Sequence, residues 1–185
     1  MTDTGRFLTA LRRVFGGIFG SAGAASGSSA RSDAAGSASV ATDLLSPGRN
    51  GPAATVEIDP DRLRGVRLSY SPSKDGAPDP GEIVWTWVPY EERDGRGKDR
   101  PVVIIAASGA ESFLAVQLTS KAHGGSHDFV PLGTGAWDSA GRPSWANIDR
   151  VFVVHAAGMR REAASLDAAR YLRLAEAIAA RYGWS

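Results

Sequence analysis

Three histidines and no cysteine narrow the chemistry open to this 185-residue chain. Without cysteine there is no disulfide, no thiolate nucleophile and no thiolate-ligated zinc. His123 and His127 stand four apart, as a metal-binding pair on a helix would. Gly124 and Gly125 lie between them, however, and no glutamate follows the first histidine, so no metal site is expected. The run Gly95-Arg96-Gly97-Lys98 lacks the earlier glycine, the following Ser or Thr and the strand-to-helix setting of a phosphate-cradling loop. No Gly-x-Ser-x-Gly elbow is present. A Ser-His-Asp triad stays open, but nothing in the spacing selects one. The loop from Pro89 to Asp99 carries Arg93, Arg96 and Lys98, which can steer phosphates. Glu91, Glu92, Asp94 and Asp99 blunt that field, so a solvated mixed-charge loop is the other reading.

The elements that must position such groups are unevenly distributed. All five tryptophans follow residue 80, and no aromatic residue occurs between Phe19 and Tyr70. Residues 20–55 are mostly Gly, Ala and Ser, a composition that buries too little apolar surface to offset its ordering entropy. They read as a flexible linker. Within residues 6–19, Phe7, Leu8, Leu11, Val14, Phe15, Ile18 and Phe19 form one helical stripe with Arg6, Arg12 and Arg13 largely off it. This stripe suits a weak membrane-surface or partner contact, or a marginal helix without a dedicated role. No run reaches the roughly 20 apolar residues that span a bilayer. The expected organisation is an N-terminal extension, 1–79, and a compact domain, 80–185. Residues 56–70 could add a short strand or helix at its edge.

Basic residues number nine against eight acidic ones up to residue 80, and twelve against twelve after it. Any nucleic-acid binding must therefore come from a local patch rather than bulk attraction. The absence of cysteine fits a reducing cytoplasm.

Within the domain, Glu82–Val88, Pro101–Ala106, Phe113–Leu118, His127–Leu132 and Trp145–His155 read as short strands joined by Gly-rich turns. Trp85 and Trp87 alternate onto one face with Ile83. Tyr171, Leu174, Ala175, Ile178 and Tyr182 then fall on one face of a helix. Ser165 is its expected cap, Asp167 lies in its first turn and Gly183 is its stop. The expected fold is mainly β, a small barrel with one C-terminal helix.

The order of these elements resembles the MazF/PemK/Kid toxins over roughly residues 80–182. Gly81-Glu82-Ile83-Val84-Trp85 resembles their opening strand. Arg100-Pro101-Val102-Val103-Ile104-Ile105 resembles their Arg-Pro-Val-Val-Val-Ile strand, and Leu118-Thr119-Ser120 resembles their third signature. Trp145-Ala146-Asn147-Ile148-Asp149-Arg150-Val151 falls where the family carries a valine-arginine-x-aspartate-glutamine strand. The resemblance implies an SH3-like barrel and a homodimer. It further implies an endoribonuclease that needs no metal or cofactor and cuts single-stranded RNA with the RNA 2′-hydroxyl as nucleophile. A cognate antitoxin would hold it inactive and carry the complex to DNA. Arg100, Thr119 and Asp149 match the family's catalytic positions. Arg93, Arg96, Lys98, Ser120 and Asn147 are the expected RNA-binding residues. At Asn147 the family's arginine is missing, which leaves a non-catalytic binding module on the same barrel as the alternative. A gyrase-poisoning toxin on a related barrel is the third reading, against which the Arg100 and Thr119 matches stand.

Overall fold

The computed structural model describes residues 46–73 and 75–185. The stripe at 6–19, with its proposed membrane contact, and most of the linker at 20–55 lie outside the described residues. Seven strands run in the order β1 (Val56–Ile58), β2 (Glu82–Pro89), β3 (Gly97–Ala107), β4 (Ser112–Thr119), β5 (Phe129–Gly133), β6 (Ser144–His155) and β7 (Arg160–Ser165), followed by helix α1 (Ala168–Tyr182). They form one antiparallel sheet ordered β1-β6-β4-β3-β2-β7, with β5 also paired to β6. Each of the five strands expected from the sequence is present. No pairing among the described residues joins β7 to β1 or β5, so the sheet curls into a barrel that is not closed. Its two ends are the three-residue β1 and β7, which meets β2 through a register shift between Ile83 and Val84.

The unbroken apolar run of β3 follows from burial on both faces. Val102 and Ile104 join Val84, Phe113, Ala115 and Phe152 on one side. Val103 and Ile105 join Leu114, Val116, Leu118 and the helix residues Leu174 and Ile178 on the other. Helix α1 docks through Tyr171, Leu174 and Ile178, each worth about 1.5–3 kcal/mol of burial as an upper estimate. The Tyr171 hydroxyl donates to the Ile105 carbonyl at 2.6 Å. Asp167, rather than Ser165, caps the helix by accepting from the Arg170 amide at 2.8 Å. Ser165 instead ends β7, a strand that the charged run Arg160-Arg161-Glu162 does not announce. Gly183 stops the helix in the left-handed region, φ 68°.

Residues 46–73 lie on the domain and cross the boundary drawn at residue 79. Strand β1 pairs with β6, Val56 opposite Val153 and Ile58 opposite Val151. Leu63, Val66 and Leu68 pack on the larger core. The Leu68 amide donates to the Ser185 carbonyl at 2.6 Å, and Tyr70 donates to the Leu166 carbonyl at 2.9 Å. Residues 46–55, Gly- and Ala-rich as they are, also touch the sheet. The Trp87 amide donates to the Pro47 carbonyl at 2.9 Å. Thr86, fully buried, shares a 2.7 Å hydrogen bond with Thr55 and donates at 2.7 Å to the Gly158 carbonyl. Composition undervalues this segment because a few well-spaced apolar residues and satisfied backbone groups hold it.

Candidate active site

The β3–β4 ladder ends at the pair Val102 and Gln117. Beyond it Arg100 and Thr119 are the next residues on the same face, two positions out on each strand. β4 ends at Thr119, opposite Trp145 of β6. The sequence resemblance picks out these two residues, and the ends of β3 and β4 bring them to the same hollows.

Arg100 is half-buried, and its side chain has no hydrogen bond or ion pair with any described residue. Its sequence neighbour Asp99 is otherwise engaged. One Asp99 oxygen accepts from both terminal nitrogens of Arg160 at 3.0 Å each. Thr119 Oγ1 accepts from the Lys121 amide at 3.2 Å, which leaves the hydroxyl proton free to donate outward.

Arg100 and Thr119 line two hollows at once. The first, about 260 Å³, is walled by Trp85, Trp137, Lys98, Ser120 and Arg142. Trp137 is fixed there, donating from Nε1 to Ser144 Oγ at 3.0 Å. Gly135 leaves room for its ring, since a Cβ there would fall 2.0 Å from it. The second hollow, about 410 Å³, is walled by Tyr90, Gln117, His123, Phe129 and Asn147, with Glu91, Glu92 and Arg96 at its side. The rings of His123 and Phe129 stack at 3.5 Å between centroids and 3° between planes.

Of the expected RNA-binding residues, Lys98 and Ser120 line the first hollow, and Arg96 and Asn147 the second. Arg96 is tied to Asp94 at 2.6 Å, whereas Lys98 has no partner among the described residues. Asn147 is only 5% exposed and accepts on Oδ1 from the Asp149 amide at 2.9 Å.

Asp149 and Arg93 are placed elsewhere. Both line a third hollow, about 940 Å³, with Glu57 and Arg150. On β6, Ala146 faces Leu118 and Val151 faces Val116, so the intervening residues bulge and Asp149 turns outward. There Arg181 of α1 donates to its carboxylate and also to Asp128 at 2.7 Å. Arg93 reaches Glu57 at 3.5 Å. Glu57 accepts from Arg150 at 2.6 and 3.1 Å, and this hydrogen bonding holds the Glu57 carboxyl below its usual range.

Gln117, Tyr90, His123, Phe129, Trp137 and Arg142 escaped the sequence reading as site residues. Gln117 alone had a signal, lying two residues before Thr119 on one strand face. The others arrive from loops and strands far apart in sequence. Among the described residues no group of three or more His, Cys, Asp or Glu could hold a metal ion, and no helix is long and apolar enough to cross a membrane.

Several solved structures align with part of the chain at low identity. The toxin MazF-mt6 of Mycobacterium tuberculosis is 20% identical, covering 56% of this chain and 98% of its own, with a TM-score of 0.43. A MazE-MazF structure from Deinococcus radiodurans is 17% identical, covering 59% and 98%, with a TM-score of 0.45. An endoribonuclease from a mycobacterial species is 17% identical, covering 58% and 93%, with a TM-score of 0.43. No curated protein matches the chain. The pattern of one family, the PemK-like, MazF-like toxins of type II toxin–antitoxin systems, matches residues 79–181. That span runs from the turn before β2 nearly to the end of α1 and takes in both walls of the Arg100 site. On that match the chain belongs to the PemK-like, MazF-like toxin family.

Proposed function

We propose that the protein is a toxin endoribonuclease that cuts single-stranded RNA by 2′-hydroxyl transesterification, independently of metal. One observation carries this reading. Arg100, left without a carboxylate partner among the described residues, stands beside the Thr119 hydroxyl where two hollows meet. A guanidinium offers a planar fork of donors suited to two phosphate oxygens. The RNA supplies its own nucleophile. The 2′-oxygen loses its proton, bonds to the neighbouring phosphorus and forms a cyclic phosphate as the bond to the 5′-oxygen breaks. That oxygen leaves as a hydroxyl after taking a proton. Arg100 and Thr119 serve the charge that gathers on the phosphorus oxygens. Glu91 and Glu92 line one of the two hollows that Arg100 and Thr119 share, Asp99 and Asp138 line the other, and these carboxylates are the candidates for the proton steps. Asp149 is left out of the reacting groups in this reading because it lines a different hollow.

The same reading assigns a cognate antitoxin that neutralises the toxin and carries the pair to DNA, a homodimeric state, and action in the cytoplasm, where RNA is met. Among the described residues the outer edges of β1 and β7 have no strand partner, and they offer backbone groups to such partners. A binding module without catalysis is the second reading, favoured by Asn147 in place of the family's arginine. The test is incubation of single-stranded RNA with the full chain in excess chelator. Products bearing 5′-hydroxyl ends are expected. Chelator-sensitive cutting that leaves 5′-phosphates contradicts the mechanism. Binding of RNA without cutting selects the module.

A further inference from the structure

We propose that Glu57 of β1 is a positioning residue for the loop between β2 and β3, and through it for the RNA site, an inference that rests on the RNA-cutting reading of that site. The loop, residues 90–96, stands between two hollows. Pro89, Glu91 and Arg150 line both the hollow of about 410 Å³ beside Arg100 and Thr119 and the third hollow, on whose wall Glu57 lies. On the RNA side the loop presents Tyr90, Glu91, Glu92 and Arg96. Whatever fixes this partition sets where those groups stand relative to a phosphate at Arg100.

The loop's own hydrogen bonds shape it without anchoring it. The Tyr90 amide donates to the Arg96 carbonyl at 3.0 Å, and the Arg93 amide to the Tyr90 carbonyl at 3.2 Å. Asp94 accepts from the Arg96 amide at 3.0 Å. The anchor from outside is Arg150. Only 7% exposed, it donates from one terminal nitrogen to the Pro89 carbonyl at 2.9 Å, at the root of the loop. The same nitrogen donates to one Glu57 oxygen at 2.6 Å, and Nε donates to the other at 3.1 Å. This two-pronged contact fixes the plane of the guanidinium, and with it the nitrogen that holds Pro89. Without the carboxylate the buried guanidinium would lose its counter-charge and swing toward solvent, releasing Pro89.

Glu57 makes a second tie. Arg93, midway along the loop, reaches it at 3.5 Å. The Arg93 backbone is in the left-handed region, φ 53°, which a residue with a Cβ adopts only when something holds it there. One carboxylate therefore grips the loop at its root and at its tip. Arg150 stands where the family motif ends on glutamine, and Glu57 lies outside the span that matches the family, residues 79–181. The departure within the motif and the segment outside the span meet in this one ion pair. Strand β1 thereby belongs to the mounting of the RNA site.

The test compares the full chain with its Glu57→Gln, Arg150→Lys and Arg93→Ala variants, below the melting range of each, by amide hydrogen exchange and by cutting of single-stranded RNA. In Glu57→Gln, exchange of the amides at 90–96 should rise by about tenfold or more, while the β3–β4 pair Val103 and Val116 keeps its protection. Cutting should slow by roughly tenfold, and the loss should persist at saturating RNA, because Arg100 is untouched and the loop groups are misplaced. Arg150→Lys should fall between wild type and Glu57→Gln, since an ammonium cannot hold Pro89 and both Glu57 oxygens at once. Arg93→Ala, a change at an exposed side chain, should loosen the loop with a smaller loss of rate. If Glu57 only fastens β1, exchange rises within residues 46–73 alone and cutting is unchanged. That result overturns the proposal, as does unaltered loop exchange in both Glu57→Gln and Arg93→Ala. A loosened loop in a chain that cuts no RNA leaves the positioning of the hollow standing and sinks the nuclease reading. Wild-type cutting by variants with a loosened loop does the reverse.

Discussion

Asp99 and Arg160 form a two-pronged ion pair, with both terminal guanidinium nitrogens 3.0 Å from one carboxylate oxygen. This pair joins the start of β3 to β7, and it removes the acid closest in sequence to Arg100. Among the described residues Arg100 itself has no carboxylate partner.

Breaking this pair is expected to reach the site. Arg160→Ala should release Asp99 to compete for Arg100 and lower RNA cleavage by roughly tenfold, the effect of a competing charge worth about 1.4 kcal/mol. The partly exposed pair itself should cost under about 1 kcal/mol of stability. Adding Asp99→Ala should restore the rate. Cleavage kinetics on the single and double variants, with thermal melts as a control for folding, decide it.

The contact between Gly48 and Gly158 gives a second expectation. A Cβ at Gly158 would lie 2.1 Å from the Ala53 carbonyl oxygen and 3.2 Å from the Gly48 Cα. Gly158→Ala should therefore push residues 48–53 off the sheet at a cost of about 1–3 kcal/mol. Gly51→Ala at an open position should act only through its positive φ of 77° and cost less. Denaturant unfolding of the two variants gives the comparison.

Acid should weaken the attachment of β1. Arg150 hydrogen-bonds Glu57 and holds its pKa below the usual 4.5. The stabilisation is therefore complete above pH 4.5 and fades as pH falls through the lowered folded value. Glu57→Gln should cost roughly 1–3 kcal/mol at neutral pH, as for a charge-assisted hydrogen bond. The gap between wild type and variant should close below pH 4.5. A gap independent of pH would contradict the role given to this pair.

Strands β2 to β6 and the helix were legible because their patterns are local. The apolar run Val102–Ala106 and the helical face Tyr171, Leu174 and Ile178 declare themselves within a few residues. Arg100 and Thr119 were legible through short motifs. The remainder depends on contacts between distant residues. Nothing local shows that Asn147 faces Phe129 across β5 and β6, or that the bulge beside it turns Asp149 toward Arg181. The edge strand at 56–58 was among the expectations for residues 56–70, whereas the docking of residues 46–55 was hidden for the same reason. A fragment of residues 78–185, which the composition recommends, lacks β1 and the Thr55–Thr86 contact. Its unfolding midpoint should fall below that of a 46–185 fragment, and equal midpoints would make the segment an ornament.

The most direct test of the site is RNA cleavage by Arg100 variants that remain folded. Arg100→Ala should lower the rate by about 100-fold or more, as expected for removing one stabiliser of transition-state charge. Arg100→Lys should recover only part of it, because an ammonium cannot make the two-pronged contact. Thr119→Val should cost less than either, since it removes a single hydrogen bond. Wild-type rates in a folded Arg100→Ala variant would contradict the assignment of Arg100 to the reacting phosphate.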